Sequence, residues 1–173
     1  MENAVINSNE RVEKTVKTII MVLSGHAAFI IYKNINYLYF LFSWGGFQSS
    51  FSEVVFIFFL ISLPISLIFF HYKKKIGWIL LCTFLSFNLT SNIIEIIPFF
   101  TKNAQEVNTY FEATSTNDGF GYLLSIILLS TILFFISKLN IRNLYNVSLK
   151  TALITILSSS LFTSLTYFYY ENY

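Results

Sequence analysis

Long uncharged runs separated by short polar junctions set the pattern of this chain. Crossing roughly 30 Å of hydrocarbon at about 1.5 Å per helical residue takes about 20 apolar residues. Four runs meet that requirement. Val54 to Phe70 carries no charge and is dominated by Phe, Ile and Leu; it ends at His71, Tyr72 and the triplet Lys73, Lys74, Lys75. Ile76 to Ile94 follows directly. Phe120 to Ser137 and Thr151 to Tyr170 are the third and fourth, joined by a polar connection containing Lys138, Asn140, Arg142 and Asn143. The N-terminal quarter is less regular. Thr18 to Tyr32 is apolar but short, and Lys33, Asn34 and Asn36 interrupt it before Tyr37 to Trp44 resumes.

The distribution of cations decides how to read that quarter, because Lys and Arg near span ends are retained in the cytoplasm while acidic residues count little. Five spans with the N-terminus inside place Arg11, Lys14, Lys17, Lys73, Lys74, Lys75, Lys138, Arg142 and Lys150 in the cytoplasm and only Lys102 clearly outside. Four spans move Arg11, Lys14 and Lys17 to the side of Lys102. The expected fold is therefore all-α: a polytopic transmembrane helical bundle forming one domain over residues 1–173. Its spans fall at about 18–42, 53–71, 76–97, 120–138 and 149–170, with the N-terminus cytoplasmic, the C-terminus outside and an outer loop over 99–119. In that loop Ala104, Val107, Tyr110 and Phe111 share one helical face and predict a short helix at the outer interface. Pro64, between Ser62 and Ser66, predicts a kink in the second span. A cleaved leader would need a far shorter polar segment than the one preceding Thr18.

Composition agrees with this pattern and narrows the function. Hydrophobic residues make up 55% of the 173 and charged residues 12%, with a mean hydropathy of +0.63, too little polar side chain to cover a water-facing surface. A soluble enzyme is excluded on that ground. The net charge of +2 is too near neutral for a nucleic-acid binder. The single Cys82 rules out an internal disulfide or a CxxC metal knuckle. Heavy use of Ile, Phe, Asn, Lys and Tyr is what an AT-rich genome produces, which points to a bacterial cytoplasmic membrane.

Ionisable and amide side chains at bilayer depth are the place to look for function, since a charge at the centre costs about 2.5 to 3.5 kcal/mol on insertion scales. Asn88, Asn92 and Glu95 fall at i, i+4 and i+7 and make a polar stripe on the third span, with Thr90 and Ser91 beside it. Such a stripe faces the bundle interior or a wet cavity. Lys33 lies about 22 Å up the first span and Glu95 about 28 Å up the third, so an ion pair between them is geometrically open. These four residues form the candidate ligand site. On the last span Ala152, Thr155, Ser159, Thr163 and Thr166 share a small, hydroxyl-rich face, the expected seam for packing within the monomer, against a second copy, or against another membrane protein.

Cofactors are not expected. His26 and His71 invite a bis-imidazole haem, but they lie at different depths, and no HxxxH, HExxH or ExxH spacing offers a metal site. The shortage of catalytic groups favours a non-enzymatic accessory, assembly or protective subunit acting through helix packing. The alternative is a small transporter or channel component with a polar path around Glu95; a third reading is an intramembrane enzyme or redox carrier using His26, Cys82 or Glu95.

Overall fold

The apolar runs do form helices, in a computed structural model that describes residues 2–33, 35–36, 39, 51–101 and 116–172. In chain order these are α1 (Glu2–Lys33), α2 (Phe51–His71), α3 (Lys75–Thr101), α4 (Thr116–Ser137), a short α5 (Leu139–Leu144) and α6 (Leu149–Asn172). Among the described residues there is no strand. Three helical stretches are long and apolar enough to cross a membrane: Lys75–Ile97, Gly119–Ser137 and Leu149–Tyr169. In α2 the described apolar stretch is Ile61–His71, and its remaining side chains lie outside the described residues. So do residues 34, 37–38 and 40–42 of the expected first span, the junction at 43–50, and residues 102–115, which hold most of the expected outer loop and its interfacial helix.

Two boundaries differ from the sequence reading. Helix α1 begins at Glu2, ahead of the span expected from Thr18, because nothing in the polar leader breaks a helix once the apolar part has nucleated one. The connection after Ser137 is not all coil. It contains α5, whose Ile141 and Arg142 are buried. Helix α2 continues through Pro64 without interruption, and the Ser66 hydroxyl bonds the Leu63 carbonyl at 2.8 Å.

By contact the chain divides into two units. The first, Met1–Leu81 with Leu139–Val147, packs α1 against α2 and α5. Val16, Ile19, Leu23 and Ala27 line one face of α1 and are buried, while Met21, Phe29 and Tyr32 on other faces are exposed. Leu63, Leu67 and Phe70 present the corresponding buried positions of α2, and Gly77, Trp78 and Leu81 those of the start of α3. The turn between α2 and α3 is a Schellman stop. Lys73 takes a positive φ of 54°, the Lys74 N–H bonds the Phe69 carbonyl and the Lys73 N–H that of Phe70, both at 3.0 Å. The Lys74 carbonyl then accepts from the N–H groups of Gly77 and Trp78 to start α3.

The same device ends α5. Asn146 has φ 54°, the Val147 N–H bonds the Arg142 carbonyl at 3.0 Å and the Asn146 N–H that of Asn143 at 3.1 Å. Ser148 then caps α6, accepting from the Thr151 N–H at 3.1 Å. Tyr145 locks this segment to the end of α2. It is 1% exposed, stacks on Phe70 with ring centroids 4.5 Å apart, and donates from its hydroxyl to the Phe70 carbonyl at 2.8 Å. Burial pushes its phenol above the usual range, which keeps it protonated and donating. Lys73 reaches Glu13 of α1 at 2.6 Å. Glu13, Lys73 and Tyr145 thus bring the polar start of α1, the Lys73–Lys75 turn and the α5 segment to one end of the first unit.

The second unit, Cys82–Lys138 with Ser148–Tyr173, is built from most of α3, with α4 and α6. Leu129, Ile132 and Ile136 are the buried positions of α4, and Ala152, Thr155, Ser159 and Thr163 those of α6. The opposite faces are apolar as well: Leu124, Ile127 and Phe134 on α4 and Leu157, Leu161 and Phe168 on α6 are all exposed. Apolar patches of that extent are unfavourable against water and match hydrocarbon. Lys138, just past α4, lies over the rings of Phe134 and Phe135 at 5.0 and 4.5 Å, which holds its ammonium at the helix end.

Candidate functional site

In the second unit the polar stripe of α3 faces its neighbours. An i, i+4, i+7 spacing keeps Asn88, Asn92 and Glu95 on one side of the helix, and all three are half-buried. Asn92 donates from its amide to the Ser125 hydroxyl of α4 at 2.7 Å. Glu95 accepts a short hydrogen bond from the Tyr167 hydroxyl of α6, and Ser91 is also within hydrogen-bonding reach of that phenol. Asn88 turns inward on its own helix, donating to the Phe84 carbonyl at 2.8 Å. A third polar link between helices joins α6 to α3 lower down, where the Ser159 hydroxyl donates to the Thr83 carbonyl at 2.9 Å.

The predicted residues therefore divide. Asn92 and Glu95 come together with partners on two other helices, and Asn88 serves its own helix. Lys33 ends α1 in the first unit; its side chain lies outside the described residues. The Glu95 carboxylate that was to meet it is engaged by Tyr167. Ser125 and Tyr167 were not anticipated. Neither stands out from its surroundings in sequence, because periodicity identifies the face of a helix and not the residue that will meet it.

The hydroxyl face of α6 is buried within the chain at Thr155, Ser159 and Thr163. Thr155 and Thr163 bond the carbonyls of Thr151 and Ser159, each at 2.9 Å, the common way a mid-helix hydroxyl is satisfied in lipid. Of these three, the Ser159 hydroxyl crosses to another helix. The Ser86 hydroxyl is buried without a hydrogen-bond partner among the described residues.

Comparison with known protein families, curated proteins and solved structures finds no match. The chemistry must be read from the side chains themselves. Among the described residues no group of three or more His, Cys, Asp or Glu side chains could hold a metal ion. Cys82 is fully buried in α3. His71 is exposed at the end of α2, edge-on to Tyr72 with centroids 5.4 Å apart.

A groove of about 630 Å³ opens between α1 and α2 in the first unit, floored by Ala27, Ala28, Pro64 and Leu67, with His71 and Tyr72 at one end.

Proposed function

We propose that the protein is a five-span membrane protein that works through helix packing: an accessory, assembly or protective subunit with its N-terminus in the cytoplasm and its C-terminus outside. A bacterial cytoplasmic membrane is the compartment its composition favours. The orientation draws support from the way Arg11, Lys14 and Lys17 precede the apolar part of α1 while Lys73 bonds Glu13 at the same level. Association with a second copy or another membrane protein, through the Thr155, Ser159 and Thr163 side of α6, belongs to the same reading.

The observation that carries the packing role is the use made of the polar stripe. Its outer members, Asn92 and Glu95, are spent on hydrogen bonds to α4 and α6. Interhelical bonds of this kind contribute on average about 0.6 and at most about 1.7 kcal/mol. Removing them should weaken the fold and leave no ligand response to lose.

The test pairs stability with flux. Tyr167→Phe and Glu95→Ala should each lower unfolding stability of the purified protein in detergent by about 0.6 to 1.7 kcal/mol. The double variant should lose less than the sum, since both remove one bond. Glu95→Gln, whose amide oxygen still accepts from Tyr167, should stay close to the parent. Ion or solute flux in proteoliposomes that Glu95→Gln abolishes at unchanged stability would overturn the packing role in favour of transport.

A further inference from the structure

We propose that the groove between α1 and α2 is a binding site for one anionic glycerophospholipid, with an acyl chain along its floor and the phosphate at its basic end. This rests on the reading that both helices lie in the bilayer.

Length is the first argument. From Tyr72 back to Pro64 is eight residues of α2, about 12 Å, and from Ile20 to Ile31 is eleven residues of α1, about 16 Å. One leaflet of hydrocarbon is about 15 Å thick, half the full core. The groove therefore runs from the headgroup level to near the midplane. Chemistry along it changes in the same direction. Its deep part, around Ala28, Ile31 and Pro64, is apolar; its polar lining is His71 and Tyr72 at the end of α2 and the Ser24 hydroxyl one turn past Ile20.

Charge supplies the second argument. The chain leaving the groove at Tyr72 continues directly into Lys73, Lys74 and Lys75, all exposed. Lys73 is taken by Glu13. The ammonium groups of Lys74 and Lys75 have no hydrogen-bond or ion-pair partner among the described residues. Helix α3 also begins there, so its first backbone N–H groups add a positive dipole end at the same level. Two uncommitted ammonium groups, two and three residues past Tyr72 at the end of an apolar slot one leaflet deep, complement a phosphodiester attached to an acyl chain. A zwitterionic lipid would bring a choline cation to the same place, and a second copy of this chain would bring its own lysine triplet.

Native mass spectrometry of the full chain, purified in detergent and doped with phosphatidylglycerol or phosphatidylcholine, tests this. The parent should retain phosphatidylglycerol preferentially. Lys74→Gln with Lys75→Gln, both exposed and outside the packed faces, should weaken that retention roughly thirtyfold and remove the preference. Ala28→Phe, which fills the groove floor, should remove the adduct while the lysines stay in place. Equal retention of the two lipids, or an adduct unchanged in either variant, would overturn the proposal. So would displacement by millimolar inorganic phosphate, which would indicate a free-anion site, or a dimer of the parent that Ala28→Phe dissociates. Alkaline carbonate extraction separates the two levels of the argument: protein released from membranes defeats the bilayer reading itself, whereas protein retained without lipid preference defeats only the lipid site.

Discussion

Gly77 sits where no side chain fits. A Cβ built there would lie 2.3 Å from the Phe69 carbonyl carbon and the Phe70 nitrogen, both backbone atoms that cannot rotate away. Gly77→Ala must push the start of α3 off the end of α2 and should cost about 1 to 3 kcal/mol of unfolding stability in detergent, the range for overpacking. Gly121→Ala is the control. Nothing lies within 4 Å of its built Cβ, and it should gain about 0.5 to 1 kcal/mol by helix propensity. Neither the polar flank nor the hydrophobic run around Gly77 marks it in sequence, because its constraint is a backbone reached through a turn. Glu13 offers a second test at this scale. Lys73 beside it holds its carboxyl below the ordinary carboxylate range. A depressed folded value means the pairing is fully present above the ordinary carboxylate pKa and is lost as pH falls through the lower, folded one. Carboxyl chemical shifts should follow that low titration, and Lys73→Gln should raise Glu13 toward the ordinary value, with Lys17 still holding it slightly down. The pair is exposed, so salt should weaken the effect.

Among the elements, the turns are set by two left-handed residues. Asn146 ends α5 with φ 54°, a conformation that costs most L residues about 1 to 2 kcal/mol and glycine almost nothing. Asn146→Gly should be neutral or slightly stabilising, and Asn146→Val should lower the thermal midpoint by the equivalent of about 1 to 2 kcal/mol. How much of these elements could be read beforehand follows from their physics. The apolar runs fixed α3, α4 and α6 to within a few residues, since length and the absence of charge are enough to define a span. The Asn88, Asn92, Glu95 face was legible from helical spacing. Its partners Ser125 and Tyr167, and the Tyr145 bond to Phe70, were not, because each joins residues dozens of positions apart. Helix α5 was missed for another reason: six residues are too few for a periodic signal.

At the scale of the whole molecule the question is which way the chain threads. Lys74 and Asn143 are exposed in the first unit, each within four residues of the Phe70–Tyr145 bond. The proposed topology keeps both on the cytoplasmic side with Lys14. Cysteines placed singly at Lys14, Lys74 and Asn143 should resist a membrane-impermeant thiol reagent in intact cells and react after permeabilisation. One at Asp118, in the segment assigned outside, should react without it. Labelling of Lys74→Cys and Asn143→Cys from opposite sides would be incompatible with the bond between Tyr145 and Phe70.

That experiment is clean because the native thiol is hidden. Cys82 has no exposed surface, so a maleimide can reach it only when α3 loosens from its neighbours. The unmodified chain thus carries its own clock for opening: the rate at which Cys82 becomes alkylated reports how often this helix breathes, without a dye or an added tag.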